Sequence, residues 1–158
     1  MAKKISLNSA YGAIGNAYFR YYNLLIAEGI TTSGQLSIRW IESALNRYLN
    51  KVCGTTKEDF VVASDTDSVY ITFDRLVNSA VKKGHDTTRI INALDSFAKD
   101  KIEPFIDKSY SELASYLNCH SQRMNMKREV IADKGIWTAK KLSLIHIRAH
   151  ETAYYLVC

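Results

Sequence analysis

Residues 60–73 read Phe-Val-Val-Ala-Ser-Asp-Thr-Asp-Ser-Val-Tyr-Ile-Thr-Phe, two short runs of β-branched and aromatic residues around a polar centre. Side chains of the first kind suit a pleated surface, while Asp and Thr bond their own backbone in turns. The segment therefore predicts a β-hairpin with its tip at Asp65-Thr66-Asp67. Whatever this chain folds into must seat that hairpin.

Helices are the elements available to pack on it. Ile41, Ala44, Leu45, Tyr48, Leu49 and Val52 recur at steps of three and four, which predicts an amphipathic helix in the second half of residues 23–52, with Gly54 as its stop. Between Asp86 and Leu117 the same spacing joins Ile90, Ile91, Leu94, Phe97, Ala98 and Ile102. Pro104, the single proline, is expected to bend or divide that helix before Tyr110, Leu113, Tyr116 and Leu117 resume it. From Met124 to Ile147 the chain returns to β-prone residues, with Asp133-Lys134-Gly135 as a turn.

Composition excludes several classes. Apolar residues make up 47% and charged residues 23% of the 158, the balance of a folded domain, and no apolar run reaches a transmembrane length. Cys53, Cys119 and Cys158 are odd in number and far apart, so they read as free thiols in a reducing cytoplasm rather than a disulfide frame. The net charge of +5 is unevenly spread. Residues 1–52 carry six Lys/Arg against two Asp/Glu, residues 53–118 eight against eleven, and residues 119–158 seven against three. Basic flanks around an acidic centre suit a polyanion gripped outside and divalent cations held inside, and solvated helix faces produce the same blocks.

Two short stretches carry chemistry. Asp65-Thr66-Asp67-Ser68 places carboxylates at a rigid tip, and hard cations such as Mg²⁺ take oxygen ligands; an ordinary polar turn has the same composition. In Lys4-Ile5-Ser6-Leu7-Asn8-Ser9-Ala10-Tyr11-Gly12, Lys4, Asn8 and Tyr11 fall at steps of four and three, so a helix would project an ammonium, an amide and a phenol from one face. That face could meet phosphate, sugar and base, or only solvent. His146 and His150 have the spacing of two ligands but no third, and His85 and His120 read as surface residues.

Lys4 to Gly12 resembles the Lys-x-x-x-Asn-Ser-x-Tyr-Gly pattern of family B DNA polymerases, and Asp65 to Ser68 their Asp-Thr-Asp-Ser turn, in the same order. Phe19-Arg20-Tyr21-Tyr22-Asn23, Trp40-Ile41, Tyr48 to Gly54 and Trp137-Thr138-Ala139-Lys140-Lys141 are similar to the replicative polymerases of tailed phages. The resemblance spans residues 3–141.

It implies an α+β fold: a partial polymerase palm, in which a small antiparallel sheet carries the metal-binding hairpin, plus the C-terminal part of the fingers helices. Residues 1–22 would be the fingers remnant, 23–141 the palm, and 142–158 a divergent tail of foreign or frame-shifted origin. The implied reaction is template-directed transfer of a nucleotidyl group from a dNTP to a primer 3′-hydroxyl with two Mg²⁺ ions. Asp67 corresponds to the metal-binding carboxylate, Thr66 offers its backbone carbonyl, Asp65 is a supporting acid, and Glu129 assists metal placement indirectly. Lys4 and Asn8 would lie on the incoming nucleotide, Tyr11 with Gly12 under the nascent base pair, and Lys140 and Lys141 on the primer-template duplex.

Three departures accompany the resemblance. Ser64 stands where the family usually has glycine, which matters only if that position needs φ > 0. The family's first metal-binding aspartate motif is expected upstream of residue 1, so residues 1–158 are not expected to polymerise by themselves and would work with the rest of a polymerase chain or a split partner subunit. After Lys141 the pattern is lost. Two other readings use the same residues: a different Mg²⁺-dependent nucleotide-binding transferase with an Asp-x-Asp turn, and a DNA-binding module without catalysis.

Overall fold

A computed structural model describes residues 2–65, 68–84, 86–132, 135–136, 145–146 and 155–157, with residues 2–4 and 7 and those after 132 described through their backbone. The helices are α1 (Ala2–Ile14), α2 (Leu24–Cys53), α3 (Asp74–Lys82), α4 (Thr87–Phe97) and α5 (Glu103–Tyr116). The strands are β1 (Val61–Ser64), β2 (Val69–Thr72), β3 (Val130–Ala132), β4 (Gly135–Ile136), β5 (Ile145–His146) and β6 (Tyr155–Val157). Sheet order is β1-β2-β6-β3, antiparallel at each pairing, and β4 and β5 form a separate antiparallel pair. The expected α+β class holds. No helix among the described residues is long and apolar enough to cross a membrane.

The chain divides into two compact units, Met1–Leu36 and Ser37–Cys158, with the boundary inside α2. In the first unit, two asparagines build the corner between α1 and α2. Asn16 Oδ1 accepts the Tyr18 N–H at 3.0 Å, and Asn23 Oδ1 accepts the Ile26 N–H at 3.1 Å, an N-cap that satisfies one orphan donor of α2.

The second unit is built around one apolar stripe of α2. Ile41, Leu45 and Leu49, each one turn from the next, are fully buried in one cluster with Phe60 and Val61, with Val69, Ile71 and Phe73, and with Val77 of α3. Ile90, Leu94, Ala98, Ile102, Ile106, Tyr110 and Leu113 close the cluster from α4 and α5. Val52, expected on the same stripe, is 45% exposed because the helix ends one residue later. Gly54 has φ +67°, and the Thr55 N–H donates to the Asn50 carbonyl at 2.9 Å, the helix-ending arrangement that favours glycine.

Polar side chains then fix where β1 begins. Asn46 Oδ1 accepts the N–H groups of Phe60 (2.9 Å) and Val61 (3.1 Å), and its amide donates to Asp59 Oδ1 at 2.7 Å. One turn on, Asn50 donates to the Glu58 carbonyl at 2.7 Å and accepts the Glu58 N–H at 3.0 Å. Two amides at a helical i, i+4 spacing thus bind the loop that leads into the hairpin.

At Pro104 the helix neither stops nor restarts. Five residues, Ala98–Ile102, form a π-helical turn between α4 and α5, and Pro104 sits in the first turn of α5. Proline removes one N–H and crowds the preceding turn, and a locally wider helix relieves both without breaking the rod. Ile91, from the expected stripe, is exposed, as are Tyr116 and Leu117. Tyr116 nonetheless stacks on Trp40, with ring centroids 5.9 Å apart, and Trp40 Nε1 donates to Ser109.

Candidate active site

The two strands of the expected hairpin are present and antiparallel. β1 and β2 pair as Ser64 with Val69, and the Asp65 N–H donates to the Ser68 carbonyl at 2.9 Å. Pairing shifts between Val61 and Ala63, leaving Val62 exposed; such a bulge strengthens twist just before the turn. Ser64 lies in β1, and Asn118 is the only non-glycine residue with positive φ among the described residues. The serine in place of glycine therefore strains nothing in that strand. The Asp65 carboxylate is exposed, whereas Thr66 and Asp67 fall outside the described residues.

Glu129 is exposed and immediately precedes β3, in the same unit as the hairpin. No group of three or more His, Cys, Asp or Glu side chains that could hold a metal is gathered among the described residues. The described donors nearest in sequence to the tip and to β3 are carboxylate and hydroxyl oxygens, without His or Cys, which is a donor chemistry suited to a hard cation.

The N-terminal motif is helical throughout, as its spacing requires: Lys4, Asn8, Tyr11 and Gly12 all lie on α1. The Lys4 side chain is outside the description, and Asn8 is exposed. Tyr11, 44% exposed, is held from behind. Its hydroxyl lies 2.7 Å from Thr31 Oγ1, and the Thr31 hydroxyl donates to the Ala27 carbonyl at 3.0 Å. A hydroxyl has one proton to give, so the Tyr11 phenol is the donor to Thr31 and its remaining lone pairs stay available. Thr31 was not visible as a site residue in the sequence, because a helix and a corner separate it from Tyr11.

Gly12 has empty space where a Cβ would stand, with nothing of this chain within 4 Å. Gly29 and Gly34 have the same open space, so packing among the described residues does not require glycine at any of the three. The two motifs belong to different compact units, Lys4 to Gly12 in the first and the hairpin in the second. Lys140 and Lys141 lie outside the described residues; so do His85 and His150, while His120 is exposed.

Other side chains have altered acidity for clear causes. Burial pushes the Tyr110 phenol and the Cys53 thiol up, favouring their protonated forms, and Cys53 and Cys119 are free thiols. The Lys99 ammonium, hydrogen-bonded at 2.9 Å, and the Arg128 guanidinium hold the Asp95 carboxyl below its ordinary value.

Comparison with known proteins extends the geometry. The family model for DNA polymerase family B matches residues 1–142. The chain is 42% identical to a DNA-directed DNA polymerase of Escherichia phage RB69 over 97% of its own length and 18% of that protein. It is 42% identical to a DNA-directed DNA polymerase of Enterobacteria phage T4 over 92% of its length and 17% of that protein. A DNA polymerase beta of African swine fever virus is 29% identical over 78% of the chain. The chain thus spans less than a fifth of the phage relatives it matches.

Proposed function

Because the chain belongs to DNA polymerase family B, we propose that it forms the part of a DNA-directed DNA polymerase that grips the incoming nucleotide and one side of the catalytic metal site. Residues 1–22 are the fingers remnant and 23–141 the palm of that enzyme; 142–158 is a divergent tail. The observation that carries this reading is the family match over residues 1–142, which contains both motifs in order.

The reaction is template-directed nucleotidyl transfer from a dNTP to a primer 3′-hydroxyl. Asp67 and the Thr66 carbonyl would hold Mg²⁺ at the hairpin tip, Asp65 would support the turn, and Glu129 would act on the metal through water. When bound, two such ions stabilise the attacking and leaving oxygens.

The remaining residues position substrate. Lys4 neutralises triphosphate oxygens as a point charge, and Asn8 sits beside the same nucleotide. Tyr11 lies under the nascent pair with Gly12 allowing close approach, for which the open space at Gly12 leaves room. Tyr11 checks the pair by shape on its minor-groove side, where purine N3 and pyrimidine O2 are present in every correct pair, and its contact with Thr31 holds the ring in place. Lys140 and Lys141 contact primer-template phosphates without sequence preference. The partners are primer-template DNA, dNTP and the rest of the polymerase, joined in one chain or as a split subunit, working in the host cytoplasm.

The test is a chimera in which residues 1–142 replace the matching segment of the phage RB69 polymerase. It should extend a primer, and Lys4→Ala should raise the KM for dNTP by about tenfold or more, the scale of one charge-assisted contact. An intact chimera with a native melting profile and no extension would refute the proposal.

A further inference from the structure

The segment that leads into β3 is held at one residue, Arg128, by two acids. The Arg128 N–H donates to Glu103 Oε1 at 3.1 Å, and Arg128 Nη2 lies 2.6 Å from Asp95 Oδ1. That oxygen is enclosed and paired by charge rather than by hydrogen-bond geometry, and Arg128 Nε is likewise enclosed without a hydrogen-bond partner among the described residues. Asp95 Oδ2 meanwhile accepts from Lys99 at 2.9 Å.

Asp95 and Glu103 are eight residues apart, and an unbroken α-helix would turn them about 80° away from each other. The π-helical turn Ala98–Ile102 lies between them and rotates less per residue, which returns both acids to one side of the rod. The widened turn therefore aims two carboxylates at one arginine. Arg128 is drawn toward α4 and α5 with its side chain 23% exposed, whereas Glu129, the next residue and the last before β3, is exposed.

We infer that Asp95 and Glu103 are positioning residues for Glu129: by holding Arg128 through its guanidinium and its backbone N–H, they set the register in which the Glu129 carboxylate enters the sheet. This rests on the reading of Glu129 as an acid that assists metal placement. The charged groups facing the clamp are Lys99, Asp95, Glu103 and Arg128 itself.

The test has one readout without metal and one with it. In the metal-free 158-residue chain, Asp95→Asn and Glu103→Ala should each speed amide exchange at Arg128 to Val130 by about tenfold, the scale of a charged hydrogen bond, while Leu45 and Ile106 exchange as before. In the primer-extending chimera, both variants and Glu129→Gln should raise the Mg²⁺ concentration for half-maximal rate by about threefold or more, as loss of a supporting metal contact does, with the KM for dNTP little changed. Arg128→Lys keeps the charge but loses the forked donor set, and should give the same shift if an acid variant fails to fold. Unchanged exchange at Arg128 to Val130 overturns the clamp. Faster exchange with unchanged Mg²⁺ dependence overturns its link to Glu129. A chimera that extends normally with Asp67→Asn instead refutes the proposed function, and the exchange result still decides the clamp.

Discussion

Asn46 shows how much one side chain settles. Its amide oxygen accepts from the N–H groups of Phe60 and Val61 beside the core. Asn46→Ala removes the side-chain acceptor of two backbone donors at the start of β1, each loss costing about 1–2 kcal/mol. Urea denaturation should therefore show a loss of about 2–4 kcal/mol, while Ser43→Ala, on the exposed face of α2, should change little. Equal stability of the two variants would contradict this role. Nothing in the local sequence announces Asn46, because its partners lie 14 and 15 residues away. Thr31 and Arg128 escape sequence reading for the same reason: each acts on a residue that only the fold brings near.

Among the elements, those with strong periodicity are legible and those shaped by a conflict are not. The buried stripe Ile41, Leu45 and Leu49 and the hairpin flanking Asp65 follow directly from spacing and β-branched composition. The rod from α4 to α5 does not. Pro104 signals a disturbance, but whether the chain bends, divides or widens depends on what packs against it, and the buried positions on both sides keep it straight enough to widen. The widened turn has an electrostatic consequence. Lys99 and Arg128 hold the Asp95 carboxyl below its ordinary value, so its folded pKa is lower than its unfolded one. Such a group stabilises the fold above the unfolded pKa and loses that contribution as pH falls through the folded one. Stability measured from about pH 5 downward should thus fall less steeply in Asp95→Asn than in the parent, with the two curves converging at the acid end. Parallel curves would show that the ion pairs contribute nothing to folding.

At the scale of the whole molecule, the two motifs that carry the family resemblance lie in separate compact units, Lys4 to Gly12 on α1 and Asp65 at the end of β1. The family was legible because both motifs are short, specific and in order, and the match covers residues 1–142. The side-chain arrangement around them was not, since it depends on contacts such as Tyr11 with Thr31 that sequence spacing does not encode. The central claim is that the hairpin tip carries a catalytic carboxylate. Single-turnover nucleotide incorporation by the chimera carrying residues 1–142, with Asp67→Asn against the parent, measures it most directly. Loss of a metal ligand forfeits several kcal/mol of transition-state stabilisation, so the rate should fall by more than about a hundredfold while primer-template DNA still binds. Incorporation at the parent rate would contradict the account.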